Sequence, residues 1–187
     1  FELITNTRTF QSPLTNAVQT VQRKGSLWKA SLQFNNLTGD NRAEMQAFLA
    51  KLNGQAHRFY LPDHGFVRRG SAPSVSDSIV VNGAAQTGST LNVRDANLSV
   101  TNYFKAGDYI AFSNQLCMVT GACNSTGTGT IAVPVAPPIR KPTVDGAAID
   151  YLFPVLGVFM LTSSASWDTQ PGQVSSFTID AVEDVLA

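Results

Sequence analysis

Hydrophobic and polar positions alternate with a period of two over much of this chain, and the period changes once. In "LWKASLQF" the apolar Trp28, Ala30, Leu32 and Phe34 interleave with Lys29, Ser31 and Gln33, the pattern of a strand with one face buried. Near the end "SFTIDAVE" repeats it, with Phe177, Ile179 and Ala181 on the apolar face. Upstream, "FELITNTRTF" reads as a strand and "QSPLTN" as a turn in which Pro13 fixes φ, and "AVQTVQRK" then alternates Val18 and Val21 with amides. Between residues 35 and 54 the period lengthens. Met45, Phe48, Leu49 and Leu52 recur at i, i+3, i+4 and i+7, one stripe of an amphipathic helix over about 41–53. Asn41 with Glu44 has the spacing of a capping box, Asp40 competes for the cap, and Gly54 stands where a left-handed stop is wanted.

After a strand over 57–61 the pattern fragments. From residue 70 onward short apolar runs are separated by turn signals at Asn82-Gly83, Gly88, Gly107-Asp108, Asn114 and Gly127–Gly129, the punctuation of a small barrel or sandwich. "PPIRKP" (137–142) reads as the exit linker from this region, and "YLFPVLGVFML" (151–161) as a buried strand or two. The architecture this predicts is mainly β: a sandwich flanked by one helix, made from residues 1–69 plus 146–187, with a small barrel-like lobe of residues 70–145 inserted.

Composition narrows the function. Charged residues are 14% of the chain and the formal net charge is zero, so no broad basic field for nucleic acid exists. The charge is unevenly placed: residues 1–70 carry nine Lys/Arg against four Asp/Glu, and the remainder carries the reverse. Complementary halves of this kind favour association between copies of one chain. The eleven-residue apolar run holds Pro154 and Gly157 and falls short of the ~20 residues a membrane helix needs, so no membrane insertion is expected. Cys117 and Cys123 match neither zinc nor redox spacing, which leaves two readings, a hairpin disulfide across a turn or, the one expected, buried thiols.

Catalytic chemistry finds no foothold. His57, Asp63 and His64 fit no metal-ligand spacing, and His57 is expected to be partly buried in its strand. Asp108, Asp145, Asp150, Asp168, Asp180, Glu183 and Asp184 sit beside glycines or at strand ends, where turn and cap roles are usual. No nucleophile elbow occurs, and the Gly127–Gly129 run lacks the helix and lysine of a phosphate loop. No enzyme and no cofactor are expected. Arg68-Arg69 and Arg140-Lys141 read as loop charges at the two junctions of the inserted lobe.

One stretch resembles a known family. The order Arg8-Thr-Phe-x-Ser-Pro-Leu-Thr, Val18-Gln-Thr, Trp28-x-Ala-x-Leu-x-Phe, Phe48-Leu-Ala-x-Leu-x-Gly and Arg58-Phe-Tyr-Leu-x-Asp is similar to distal tail proteins of long-tailed bacteriophages. The likeness covers residues 6–64, and is weaker over 79–87, 107–119 and the closing "FTIDAVE". The resemblance implies a tail-tube-like fold and a homohexameric ring at the virion's tail tip, assembled in the host cytoplasm. Such a ring joins the tail-tube protein to the tip or baseplate hub protein, and DNA passes through its channel without specific binding. On that reading Arg8, Gln19, Gln22, Arg23 and Lys24, with Arg68 and Arg69, make contacts between subunits or line the lumen. Two other readings stand beside it: a tail-tube or tail-terminator subunit, and a monomeric carbohydrate-binding adhesin that stacks sugars on Tyr103, Tyr109, Phe112 or Trp167.

Overall fold

The computed structural model describes residues 1–187 except 24, 73–77, 155–156, 165 and 186–187. The chain begins with β1 (Glu2–Ile4), runs out and back through β2 (Thr7–Gln11) and β3 (Val18–Gln22), and enters the long β4 (Leu27–Leu37). Helix α1 (Gly39–Leu52) and the short β5 (Phe59–Tyr60) follow. The middle of the chain supplies β6 (Val80–Val81), β7 (Gly88–Arg94), β8 (Tyr109–Phe112), β9 (Gln115–Val119) and β10 (Ile131–Ile139). The last third supplies β11 (Val158–Leu161), β12 (Trp167–Gln170) and β13 (Val174–Glu183).

The protein is mainly β and its paired strands are antiparallel. Strands from the two ends build a six-stranded sheet in the order β1-β4-β13-β11-β5, with β12 also on β13. Its centre is the β4–β13 ladder, which pairs Ala30 with Ala181 and Leu32 with Ile179. The two alternating runs seen in sequence are therefore neighbours, and their apolar faces add across the ladder. Helix α1 lays Leu49 and Leu52 on this sheet against Leu161, Phe177 and Ile179. Phe48 stays at the margin, its ring edge-to-face with Phe59 at 5.7 Å.

The helix starts earlier than the cap signals predict. Thr38 is the extended N-cap residue and makes no side-chain capping bond, so Asn41 lies inside the first turn and no capping box forms from it. At the other end Asn53 takes the left-handed conformation and Gly54 follows with φ +64°. Asparagine tolerates that region well enough to share the stop with glycine.

The middle strands form a second, five-stranded sheet in the order β6-β7-β10-β9-β8. Residues 146–150 bridge its two edges. Ile149 donates its N–H to Ile79 at 3.2 Å beside β6, and Ala111 and Asp150 exchange backbone hydrogen bonds at 2.7 and 2.9 Å beside β8. By hydrogen bonding this segment goes with the second sheet, although the change of pattern places it after the lobe. The enclosed core holds Leu91, Val93, Tyr103, Phe104, Ile110, Phe112, Cys117, Val133 and Tyr151.

The two units share a wall. In the β8–β9 hairpin Ile110, Phe112 and Cys117 face the lobe core, while Tyr109, Ala111 and Leu116 pack on Trp28, Ala30, Phe159 and Ala181 of the first sheet. Both faces of the hairpin are covered. That is why "YIAF" (109–112) and "LCMV" (116–119) read as unbroken apolar runs on either side of the turn.

Candidate assembly surface

Strands β2 and β3 form a two-stranded ribbon of their own, in register from Thr7↔Gln22 to Gln11↔Val18. All ten of these strand residues are exposed. The ribbon prolongs the β1–β4 pair outward, since β1 already pairs Glu2 with Lys29 and Ile4 with Leu27. At its root Asn6 donates its N–H to Ser26 Oγ at 3.4 Å, Arg23 donates its N–H to the Asn6 carbonyl at 2.8 Å, and Gly25 supplies a backbone with φ +111°. Five paired rungs at ~3.4 Å each make an arm of about 17 Å before its tip.

The tip is a tight loop. Asn16 donates its N–H to the Ser12 carbonyl at 2.9 Å and adopts φ 53°, and the Ser12 hydroxyl accepts from Thr15 N–H at 3.4 Å. The polar decoration carries large apolar groups with it. Leu14 at the tip is 94% exposed, Val18 61% and Phe10 54%. Directly opposed residues share a face, so Arg8, Val21, Phe10 and Gln19 lie on one side, and Thr7, Gln22, Thr9, Thr20, Gln11 and Val18 on the other.

The residues singled out in sequence divide into two groups. Arg8, Gln19 and Gln22 stand on the ribbon with Arg23 at its root, all exposed, and Lys24 lies outside the described residues. Arg68 and Arg69 belong elsewhere, where the chain leaves for the lobe. Arg69 and Gly70 donate their backbone N–H groups to the two carboxylate oxygens of buried Asp108 at 2.7 and 3.0 Å, and Lys105 N–H adds a third bond at 2.9 Å. The Arg68 guanidinium lies over the Tyr151 ring at 5.6 Å. Arg68 and Arg69 thus belong to a different segment from the ribbon that carries Arg8, Gln19 and Gln22.

Arg140 and the "PPIRKP" segment depart furthest from the sequence reading. Pro137–Ile139 are the last residues of β10, not a linker, and Ile139 is buried. The Arg140 side chain is 6% exposed and forms a two-pronged ion pair with Glu183, itself 0% exposed. Arg140 also donates to the carbonyls of Ser26 at 3.2 Å and Leu116 at 2.9 Å. Glu183 accepts the backbone N–H groups of Trp28 and Leu116, each at 3.1 Å, and Trp28 Nε1 donates to the Leu116 carbonyl at 2.9 Å. Four segments are tied through one buried pair. Its partner Glu183 lies 43 residues away in sequence, so no local spacing signals it.

Other expectations resolve by burial. Cys117 and Cys123 are buried free thiols, and burial pushes Cys117 up to about 12. His57 is exposed rather than part of a buried strand face, because β5 begins only at Phe59. Of the four aromatics considered as a sugar platform, Tyr103, Tyr109 and Phe112 are buried and only Trp167 shows a face to solvent. Tyr103 and Phe112 are core residues of the lobe. Among the described residues no helix is long and apolar enough to cross a membrane.

Fold and surface together define a mainly antiparallel, sandwich-like β protein with one flanking helix and an exposed strand arm. No family model and no curated protein matches the chain.

Proposed function

We propose that this chain is a structural subunit of a bacteriophage tail, a homohexameric ring at the distal end that joins the tail tube to the tip or baseplate and leaves a channel for DNA. The exposed ribbon carries the reading. An isolated two-stranded hairpin is marginal in water, and this one leaves Phe10, Leu14 and Val18 uncovered. An arm of that kind gains stability when it lies on another surface, and in a ring each subunit offers that surface to the next. Two further features support self-association. Among the described residues, the outermost strands of the six-stranded sheet, β1 and β5, each have a single hydrogen-bonded neighbour, which leaves ladder positions open to another chain. The positive first 70 residues and the negative remainder attract each other between copies. Near-zero net charge suits a channel that lets phosphates slide past. The tail-tube and terminator readings use the same arm and differ only in position along the tail.

Solution mass and negatively stained particles test the proposal, measured on the full chain alone and mixed with its tail-tube neighbour. Closed sixfold rings with a central hole are expected. A chain that stays at 20.0 kDa under both conditions, or particles of another symmetry, would overturn it.

A further inference from the structure

Neutrality of the whole chain conceals a local imbalance. Residues 3–39 carry Arg8, Arg23, Lys24 and Lys29 and no acidic residue. Three arginines elsewhere are matched to carboxylates: Arg58 to Asp184, Arg94 to Asp145 and Arg140 to Glu183. Arg8 on the arm and Arg23 at its root are exposed, and among the described residues neither enters a salt bridge. A projecting, acid-free surface with unmatched guanidinium groups attracts a polyanion.

The ribbon's two faces differ in chemistry. One holds the apolar Phe10 and Val21 and suits a protein neighbour. The other presents Thr7, Thr9, Gln11, Val18, Thr20 and Gln22, all exposed, and every one but Val18 offers a hydroxyl or an amide. Those are the groups that read base edges: glutamine bonds adenine through two atoms, and threonine offers its hydroxyl to any polar edge and its methyl to that of thymine. Dimensions agree. Two strands ~4.8 Å apart enter a major groove about 12 Å wide, which admits a two-stranded ribbon. Five rungs, or about 17 Å, cover half of a ~34 Å helical turn, roughly five base pairs.

We propose that the β2–β3 arm binds duplex DNA, lying along the major groove with its threonine and glutamine face on the base edges and Arg8 and Arg23 reaching the flanking phosphates. The Phe10 and Val21 face stays available to a neighbouring subunit, so this use adds to the ring and does not rest on it. Anisotropy of a labelled duplex of about 16 base pairs, titrated with the full chain between about 50 and 200 mM salt, tests the proposal. Amide shifts of the ¹⁵N-labelled chain locate the contact. The expected Kd is about 10⁻⁴ M at the lowest salt, and two phosphate contacts give a log–log salt slope of about −2, roughly a tenfold loss across the range. Arg8→Gln and Arg23→Gln each reduce that slope by about 1. The double variant Gln11→Ala, Gln22→Ala weakens binding at every salt concentration and keeps the slope, because it removes groove contacts alone. Lys51→Gln, which removes a cation from the last turn of α1, changes neither quantity. All the arm positions substituted are exposed, so the variants keep the fold, as unchanged circular dichroism will register. No binding at about 50 mM salt, amide shifts centred off residues 6–23, a slope that both arginine variants leave intact, or full affinity in the double glutamine variant would overturn the proposal.

Discussion

Glu183→Gln is the sharpest test of how the two units are held together. The wild-type carboxylate is fully buried, neutralises Arg140, and accepts the N–H groups of Trp28 and Leu116 as well. The amide keeps the shape but removes the charge and turns one oxygen into a donor. That donor must face another donor, whether a backbone N–H or the guanidinium, and Arg140 is left as an uncompensated charge in a nearly dry site. Breaking one side of a buried pair costs about 3–5 kcal/mol. For a chain of this size that is a fall of roughly 6–20 °C in Tm, at ~2–4 °C per kcal/mol. Urea unfolding followed by Trp fluorescence, together with calorimetry, measures it. Trp28 reports on the junction directly because its backbone N–H and its indole N–H both belong to the network. The double variant Arg140→Met, Glu183→Leu removes both charges, yet still strands the N–H groups of Trp28 and Leu116. It should lie between wild type and Glu183→Gln, and a double-mutant cycle isolates the pair from those backbone bonds. A loss below about 1 kcal/mol in Glu183→Gln would refute the reasoning, since no buried ion pair worth the name would then exist.

Three other outcomes are expected of the same fold. Leu14→Asp in the exposed tip should leave the monomer's Tm within a degree or two and prevent assembly, with sedimentation and electron microscopy as the readouts; normal assembly by this variant would count against the arm. Gly70→Ala should destabilise by about 2 kcal/mol or more in denaturant melts, because the added methyl would sit 2.3 Å from the Tyr103 carbonyl oxygen and 2.8 Å from the Asp108 carboxylate. Stability should decline in alkali: burial pushes the Cys117 thiol from 9.0 up to about 12 and raises Tyr109 to about 12, so above pH 9 the unfolded chain sheds protons that the native one retains. The native state then binds more protons, each group's contribution is whole below its unfolded value, and it is lost as pH climbs toward 12, at up to about 1.4 kcal/mol per pH unit per group. Chemical melts at pH 8 and pH 10.5 would expose a flat profile if that coupling were wrong.

Much of the fold was legible in the chain because it rests on local periods. The β4 and β13 alternations and the α1 stripe are each half-buried elements whose exposed side keeps the pattern clean. Where both faces are covered, as in β8 and β9, alternation vanishes and only turn residues mark the strands. The arm was legible as strand–turn–strand, but not its isolation: Phe10 and Val18 read like half-buried residues until the body is seen to lie elsewhere. Arg140 was misread for the opposite reason. A cation after two prolines looks like a loop charge, and only the third dimension brings Glu183 to it. Asp63 and Phe153, far apart in sequence, line one crevice, which therefore had no linear signature.

Strands β5 and β11 are adjacent rungs of one sheet, with Phe59 opposite Phe159 and Tyr60 opposite Val158, and the whole lobe is strung between them. Geometrically that is an interchangeable cartridge: a short turn could rejoin the cut ends without reordering a strand. Chemically it is no such thing, because Tyr109, Ala111 and Leu116 roof the greasy patch made by Trp28, Ala30, Phe159 and Ala181. Excision would therefore yield a correctly threaded but adhesive remnant. Any replacement module inherits a duty before it acquires a function, which is to bring its own roof.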